Sequence, residues 1–280
     1  SLSCNLLTRA THADEGIARL LHRARRLEEL DVHNCALSSE ALCWTRKDLC
    51  LRVLNARHCA LRHASFSNAA ALEELNLSFN EDLASADIVL PNLRVLNISQ
   101  CKQLRSLRLT CPALETVNLS GCRNLSTIVV TGPTSLQAVN AFNCASLQAT
   151  SIKNLCFSCV DSLQSLMVCG CCLLHDQVIK SIVAACTKLV DLDISGCRGL
   201  GADAARDVEK IVKTRNDALR ANVVAVDAAA VSSAACASSF PFRSSSCSPS
   251  LPPSIMAACS ASTDGFGGSL DHEADSKSAV

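Results

Sequence analysis

The chain has 280 residues, 49% of them apolar, enough for one large domain or two ordinary ones with a sizeable core. Lysine plus arginine equals aspartate plus glutamate at 26 each, so charge favours neither nucleic acid nor an anionic membrane surface. Aromatics are 3% of the residues and tyrosine is absent, which counts against stacking of bases or sugars. The 19 cysteines, an odd number at scattered spacings, are not a disulfide framework. They are expected to be free thiols, buried as small hydrophobes, in a reducing compartment, cytoplasmic or nuclear. No apolar run approaches the ~18–20 residues of a membrane span. The opening Ser1-Leu2-Ser3-Cys4 has neither the basic nor the apolar part of a signal peptide.

In chain order, Leu2, Cys4 and Leu7 followed by Thr11 and Asp14-Glu15-Gly16-Ile17 read as the end of a strand, a turn and a helix. That helix runs over 14–26 with Ile17, Leu20 and Leu21 on one face. The chain is therefore expected to begin inside a truncated repeat, with further repeats before it. From Leu27 onward one template, L-x-x-L-x-L-x-x-C/N, fits eight times, at 27–35, 51–59, 72–80, 93–101, 114–122, 136–144, 163–171 and 189–197. The fourth and sixth positions are always apolar, and the ninth is cysteine except at Asn80.

Apolar residues three apart and then two apart mark a short strand with a bend at its entry, its apolar side chains inward and its x positions outward. The ninth residue lies where the chain turns away, and can turn inward to bond loop backbone that would otherwise be unsatisfied. Stacked turns then form one parallel sheet over a continuous core. The middle repeats recur every 21 or 22 residues, too short for a full helix on the return leg. A second three-then-two pattern runs there instead: Leu83, Ala86, Ile88; Leu104, Leu107, Leu109; Leu125, Ile128, Val130. This predicts a second short extended segment. Longer repeats predict helical return legs. One covers 176–185, with Asp176 as N-cap and Val178, Ile179, Ile182 and Val183 on one face. Another covers 202–215, with Val208, Ile211 and Val212 on a face. A final strand near 219–224 is expected to close the solenoid. Residues 227–280, rich in Ala, Ser, Cys and Pro, lack periodicity and are expected to be a disordered tail after a 1–226 solenoid.

Cys186-Thr187-Lys188-Leu189-Val190-Asp191-Leu192-Asp193-Ile194-Ser195-Gly196-Cys197 resembles the cysteine-containing subtype of leucine-rich repeat. Asp14-Glu15-Gly16-Ile17 with 27–35 matches it equally well. The short repeats, such as Cys111-Pro112-Ala113-Leu114 through Cys122, are similar to those of plant-type F-box/LRR proteins. The resemblance covers roughly residues 1–215 and extends to ribonuclease-inhibitor-like solenoids. It implies an α/β fold: a right-handed leucine-rich-repeat horseshoe with a parallel concave sheet and mixed helical and short extended convex legs. In that family the horseshoe holds a substrate while an F-box recruits a Skp1–cullin ubiquitin ligase. An F-box takes ~45 residues, and none lies in this sequence, so a ligase link requires one outside it.

The outward positions are the natural binding surface of such a solenoid. Their charges alternate: Glu28 and Glu29, Arg52, Glu73 and Glu74, Arg94, Glu115, with Arg57 and His58 beside Arg52. This is either a solvated mixed-charge face or a site for a mixed-charge peptide. Phe79 and Phe142 fall at outward positions where an aromatic can anchor an interface, although Phe142 can equally pack on its neighbours. At the fifth position stand Asn55, Asn76, Asn97, Asn118 and Asn140, which predicts a ladder of side-chain amides bonded to each other along the sheet. A zinc site would need Cys156, Cys159, Cys169, Cys171, Cys172 and His175 to converge across the core, and none is expected. His58 adjoins Cys59, but Cys59 is an inward turn residue, and no G-x-S-x-G, H-E-x-x-H or phosphate loop occurs. The expectation is a non-enzymatic scaffold without cofactor or metal. It would bind a protein on the concave face, and neither nucleic acid nor membrane.

Overall fold

The computed structural model of the protein describes residues 15–17, 19, 23, 26–38, 42, 50–67 and 69–235, with side chains described up to residue 221. In chain order its strands begin with β1 (Glu29–Asp31), β2 (Val53–Asn55), β3 (His63–Phe66), β4 (Glu74–Asn76), β5 (Ser85–Val89) and β6 (Val95–Asn97). They continue with β7 (Ser106–Thr110), β8 (Thr116–Asn118), β9 (Thr127–Val130), β10 (Ala138–Asn140), β11 (Ser165–Met167) and β12 (Asp191–Asp193). Three helices follow the later strands: α1 (Ala149–Phe157), α2 (Asp176–Ala185) and α3 (Ala202–Ala235). The strands form an eight-stranded sheet in the order β1-β2-β4-β6-β8-β10-β11-β12 and a four-stranded sheet in the order β3-β5-β7-β9. Every pairing is parallel, so the chain is a parallel-strand β-solenoid. Among the described residues no helix is long and apolar enough to cross a membrane.

Each strand of the long sheet occupies the third to fifth template positions, and its central residue points inward. Leu54, Leu75, Leu96 and Leu166 are buried there, as are the sixth-position residues Ala56, Leu77, Ile98 and Val168. Burying one such leucine contributes ~1.5–3 kcal/mol. The four short return strands place Leu83, Ala86 and Ile88, then Leu104, Leu107 and Leu109, against the same core. Leu61, Ala64 and Phe66 repeat the spacing one turn earlier, so the short sheet begins at β3.

The ninth positions form a second, polar column inside the core. The thiols of Cys59, Cys101, Cys122, Cys144, Cys171 and Cys197 each donate to the sixth-position carbonyl of the preceding repeat. These acceptors are Val32, Leu77, Ile98, Leu119, Ala141 and Val168, at 3.0 to 3.3 Å. Asn80 takes the same place. Its Nδ2 donates to Ala56 at 3.0 Å and to Leu77 at 2.8 Å, while its Oδ1 accepts the amides of Cys59 at 2.8 Å and Leu61 at 3.2 Å. Burial pushes the Cys59 and Cys171 thiols up to about 12, so they stay neutral donors.

The return leg changes from strand to helix at one junction. In α1 the residues Ala149, Ile152 and Cys156 lie on one buried face with Ser151 and Leu155 beside them. The amide of Ile128 in β9, which faces where a further strand would pair, donates instead to Ser151 Oγ at 3.2 Å. The hydroxyl in turn donates to Ser126 O at 3.3 Å. One buried serine thus terminates the short sheet and docks α1.

Several local expectations are corrected. The N-cap of α2 is His175, not Asp176. The Asp176 carboxylate accepts the amide of Gly201 at 2.8 Å and ties the starts of α2 and α3 together. Val208 and Val212 are buried on α3, but Ile211 is exposed. The segment 219–224 is helix rather than a closing strand, and α3 runs on to Ala235, past the expected boundary at 226. The rest of the expected tail, 236–280, lies outside the described residues, as do Leu20, Leu21 and the opening segment. Arg215 of α3 donates to the carbonyls of Val183 at 2.9 Å and Cys186 at 3.0 Å, satisfying the C-terminal end of α2.

Candidate interaction surface

The outward side of the long sheet carries side chains in columns, because the parallel register stacks equal template positions. The fifth-position column runs Asp31, Asn55, Asn76, Asn97, Asn118, Asn140, Met167 and Asp193, strand upon strand. The column matches the sequence expectation; the bonding is corrected. Each asparagine Oδ1 accepts the backbone amide two residues on in its own turn. The donors are Arg57 at 3.3 Å and Ser78, Ser99, Ser120 and Phe142 at 3.0 Å. Asp31 and Asp193 do the same for His33 and Ser195. The column is therefore a row of Asx turns, which hold the chain as it leaves each strand. Asparagine suits the position because its short amide reaches its own backbone.

Three residues after the fifth position the chain passes through the left-handed region in every repeat. Asn34, His58, Phe79, Gln100, Gly121, Asn143, Gly170 and Gly196 all have φ between 56° and 77°. At Gly121 the φ of 77° is what calls for glycine; a Cβ there would lie 2.6 Å from the flexible Gln100 side-chain amide, which could swing aside. Phe79 and Gln100 depart most from the residue types that favour this geometry.

The second-position charges pair laterally across the sheet. Arg52 donates to both carboxylate oxygens of Glu73 at 2.9 Å, and Arg94 grips Glu115 at 2.8 and 3.1 Å. The hydrogen bond from Arg52 holds the Glu73 carboxyl below its ordinary value. All four groups remain solvent-accessible, so the pairs order the face more than they stabilise it.

Arg57, His58 and Phe79 come together at the end of β2 and β4. The Arg57 guanidinium lies 4.4 Å above the Phe79 ring. His58 Nδ1 is 3.2 Å from the Phe79 carbonyl, so it must donate there. Phe142 occupies the template position of Arg57 four strands away, and is 45% exposed rather than packed down. Between them, Ser78, Ser99 and Ser120 are buried. His58 and Cys59 are adjacent but engaged apart, because the Cys59 thiol points into the core toward Val32. Cys156 is buried in α1 and Cys159 donates to Leu155 and Cys156 carbonyls, each at 3.3 Å. Cys169 instead accepts a hydrogen bond from Ser195 Oγ at 3.1 Å. Among the described residues no three His, Cys, Asp or Glu side chains gather to hold a metal ion.

Gln100 and the Ser165–Asp191 contact, 2.8 Å, also belong to this face and were not singled out from the sequence. The eighth template position, rich in Asn and Gly, was the available signal for Gln100 and for the left-handed turn. A scan of the chain against protein-family models finds no match, and a search among curated proteins finds none.

Proposed function

We propose that the chain is a protein-interaction scaffold of the cysteine-containing leucine-rich-repeat type, with the outward face of its long sheet as the concave binding surface. We place it as the substrate-recognition part of an SCF-type E3 ubiquitin ligase, acting in ubiquitin-dependent protein turnover. The observation that carries the scaffold reading is the columnar face itself: an Asx turn closes every repeat except that of Met167, and Arg52–Glu73 and Arg94–Glu115 pre-order its charges. A surface ordered before binding loses little side-chain entropy on association. The ligase role rests on the resemblance of the repeats alone.

Two measurements separate the readings. The full-length protein, affinity-purified from its own cells, should bring down Skp1 and a cullin, and its partner should accumulate when the protein is depleted. Recovery of a partner on the long sheet without Skp1 or a cullin would instead favour a ligase-independent interaction or signalling scaffold.

A further inference from the structure

We propose that Arg57, stacked on Phe79, is a subsite for a carboxylate side chain of a protein partner; this rests on the scaffold reading above and names one recognition point within it. The other two arginines of the long sheet's outward columns are occupied, since Arg52 and Arg94 each give two hydrogen bonds to a glutamate. Arg57 is exposed, and among the described residues no carboxylate lies within ion-pair distance of it. Its guanidinium is nonetheless held in place, 4.4 Å over the Phe79 ring. Stacking fixes the guanidinium plane and leaves its N–H edge free for a carboxylate, the geometry in which arginine binds such groups most specifically.

The backbone supports this reading. Phe79 has a φ of 61°, a conformation that a bulky residue rarely adopts and that Gly121, Gly170 and Gly196 supply in later repeats. Strained residues that persist in a fold cluster at binding sites. Here the left-handed turn brings the ring under Arg57, and His58 Nδ1 donating to the Phe79 carbonyl fastens the turn from the preceding repeat. On one side the Arg57 column continues with the buried Ser78, Ser99 and Ser120, and on the other with His33, whose Nδ1 lies 2.7 Å from Asp31 Oδ1. With Arg52 and Arg94 neutralised by glutamates and a net charge of zero on the chain, the ordered Arg57 suits an acidic peptide segment rather than a nucleic-acid backbone, which needs many phosphate contacts.

The test uses fluorescence anisotropy of the whole chain with short capped peptides of equal length, one glutamate-rich, one with glutamine at those places, one with lysine, and with oligo-dT. The glutamate peptide should bind about tenfold tighter than the glutamine peptide. Arg57→Gln should erase that preference, and Arg57→Lys should keep only part of it because the planar fork is lost. Phe79→Asn, a residue that tolerates the left-handed turn, should weaken the glutamate peptide several-fold while the thermal midpoint stays within a few degrees. If Arg57→Gln binds the glutamate peptide as tightly as the parent, the subsite is wrong. Loss of binding on charge reversal of Arg52 and Arg94 would in that case leave the scaffold reading standing. Tighter binding of oligo-dT than of the glutamate peptide, or no binding of any peptide, would also overturn the subsite; the purification experiment above judges the scaffold separately.

Discussion

The side-chain amide of Asn80 donates to the Ala56 carbonyl at 3.0 Å, and one repeat later the Cys101 thiol makes the equivalent bond to Leu77 at 3.3 Å. The two side chains are interchangeable as donors to a buried carbonyl, but only the asparagine also accepts, taking the amides of Cys59 and Leu61. Asn80→Ala should therefore cost ~3–5 kcal/mol, because four buried backbone groups lose a partner. Asn80→Cys should cost less, ~1–3 kcal/mol, since the thiol can keep the bond to Ala56. Urea unfolding of the three proteins checks the order, and equal midpoints would remove Asn80 from its structural role. On the same grounds Cys122→Asp should cost ~3 kcal/mol or more by burying a charge without a partner.

Ser151→Ala should expose how the sheet ends. Without the hydroxyl the Ile128 amide has no acceptor, at a cost of ~1–3 kcal/mol. Hydrogen exchange at Ile128 should quicken while exchange in β5 and β7 stays slow. A uniform change across the short sheet would mean that the serine does not terminate it locally.

Thiol chemistry should sort the cysteines by position. Cys50 is exposed and Cys169 and Cys172 are partly so, whereas Cys59 and Cys171 are buried with thiols pushed up to about 12. Alkylation near neutral pH, followed by peptide mass mapping, should label the first group quickly and the second only on unfolding. Labelling of Cys59 as fast as Cys50 would contradict the inward column.

Much of this architecture is legible in the sequence because it follows from side-chain period alone. The first, fourth and sixth positions of each repeat are apolar, and a three-then-two spacing places them on one side of a short strand. The inward cysteines and the asparagine column follow from the same count. Bonding is less legible. Whether Asn76 reaches Asn97 or its own Ser78 amide depends on the turn conformation, and the left-handed turn is hidden at Phe79 by a residue that rarely adopts it. The misread strand at 219–224 has a different cause. Val223 and Val224 favour extended structure locally, but 202–235 holds no glycine or proline to stop a helix already begun. At Asp176, a good capping residue sits one place inside its helix because its carboxylate is engaged by Gly201.

Acid should weaken the lateral pairing of the sheet face. Glu73 titrates below its ordinary 4.5 in the fold because Arg52 hydrogen-bonds its carboxylate. A depressed carboxylate stabilises the fold above its unfolded value, and that contribution is lost as pH falls through the folded one. The difference in stability between the parent and Glu73→Gln should accordingly be largest at neutral pH and shrink below pH 4.5. A difference that grows toward low pH would contradict the pairing.

A protein partner is expected to occupy the outward face of the long sheet. Hydrogen-exchange footprinting of the chain with its purified partner tests this most directly. Protection should fall on the strand ends and turns of successive repeats, at 55–58, 76–79, 97–100 and 140–143. Protection confined to β3, β5, β7 and β9, or to α3, would place the partner elsewhere and contradict the claim.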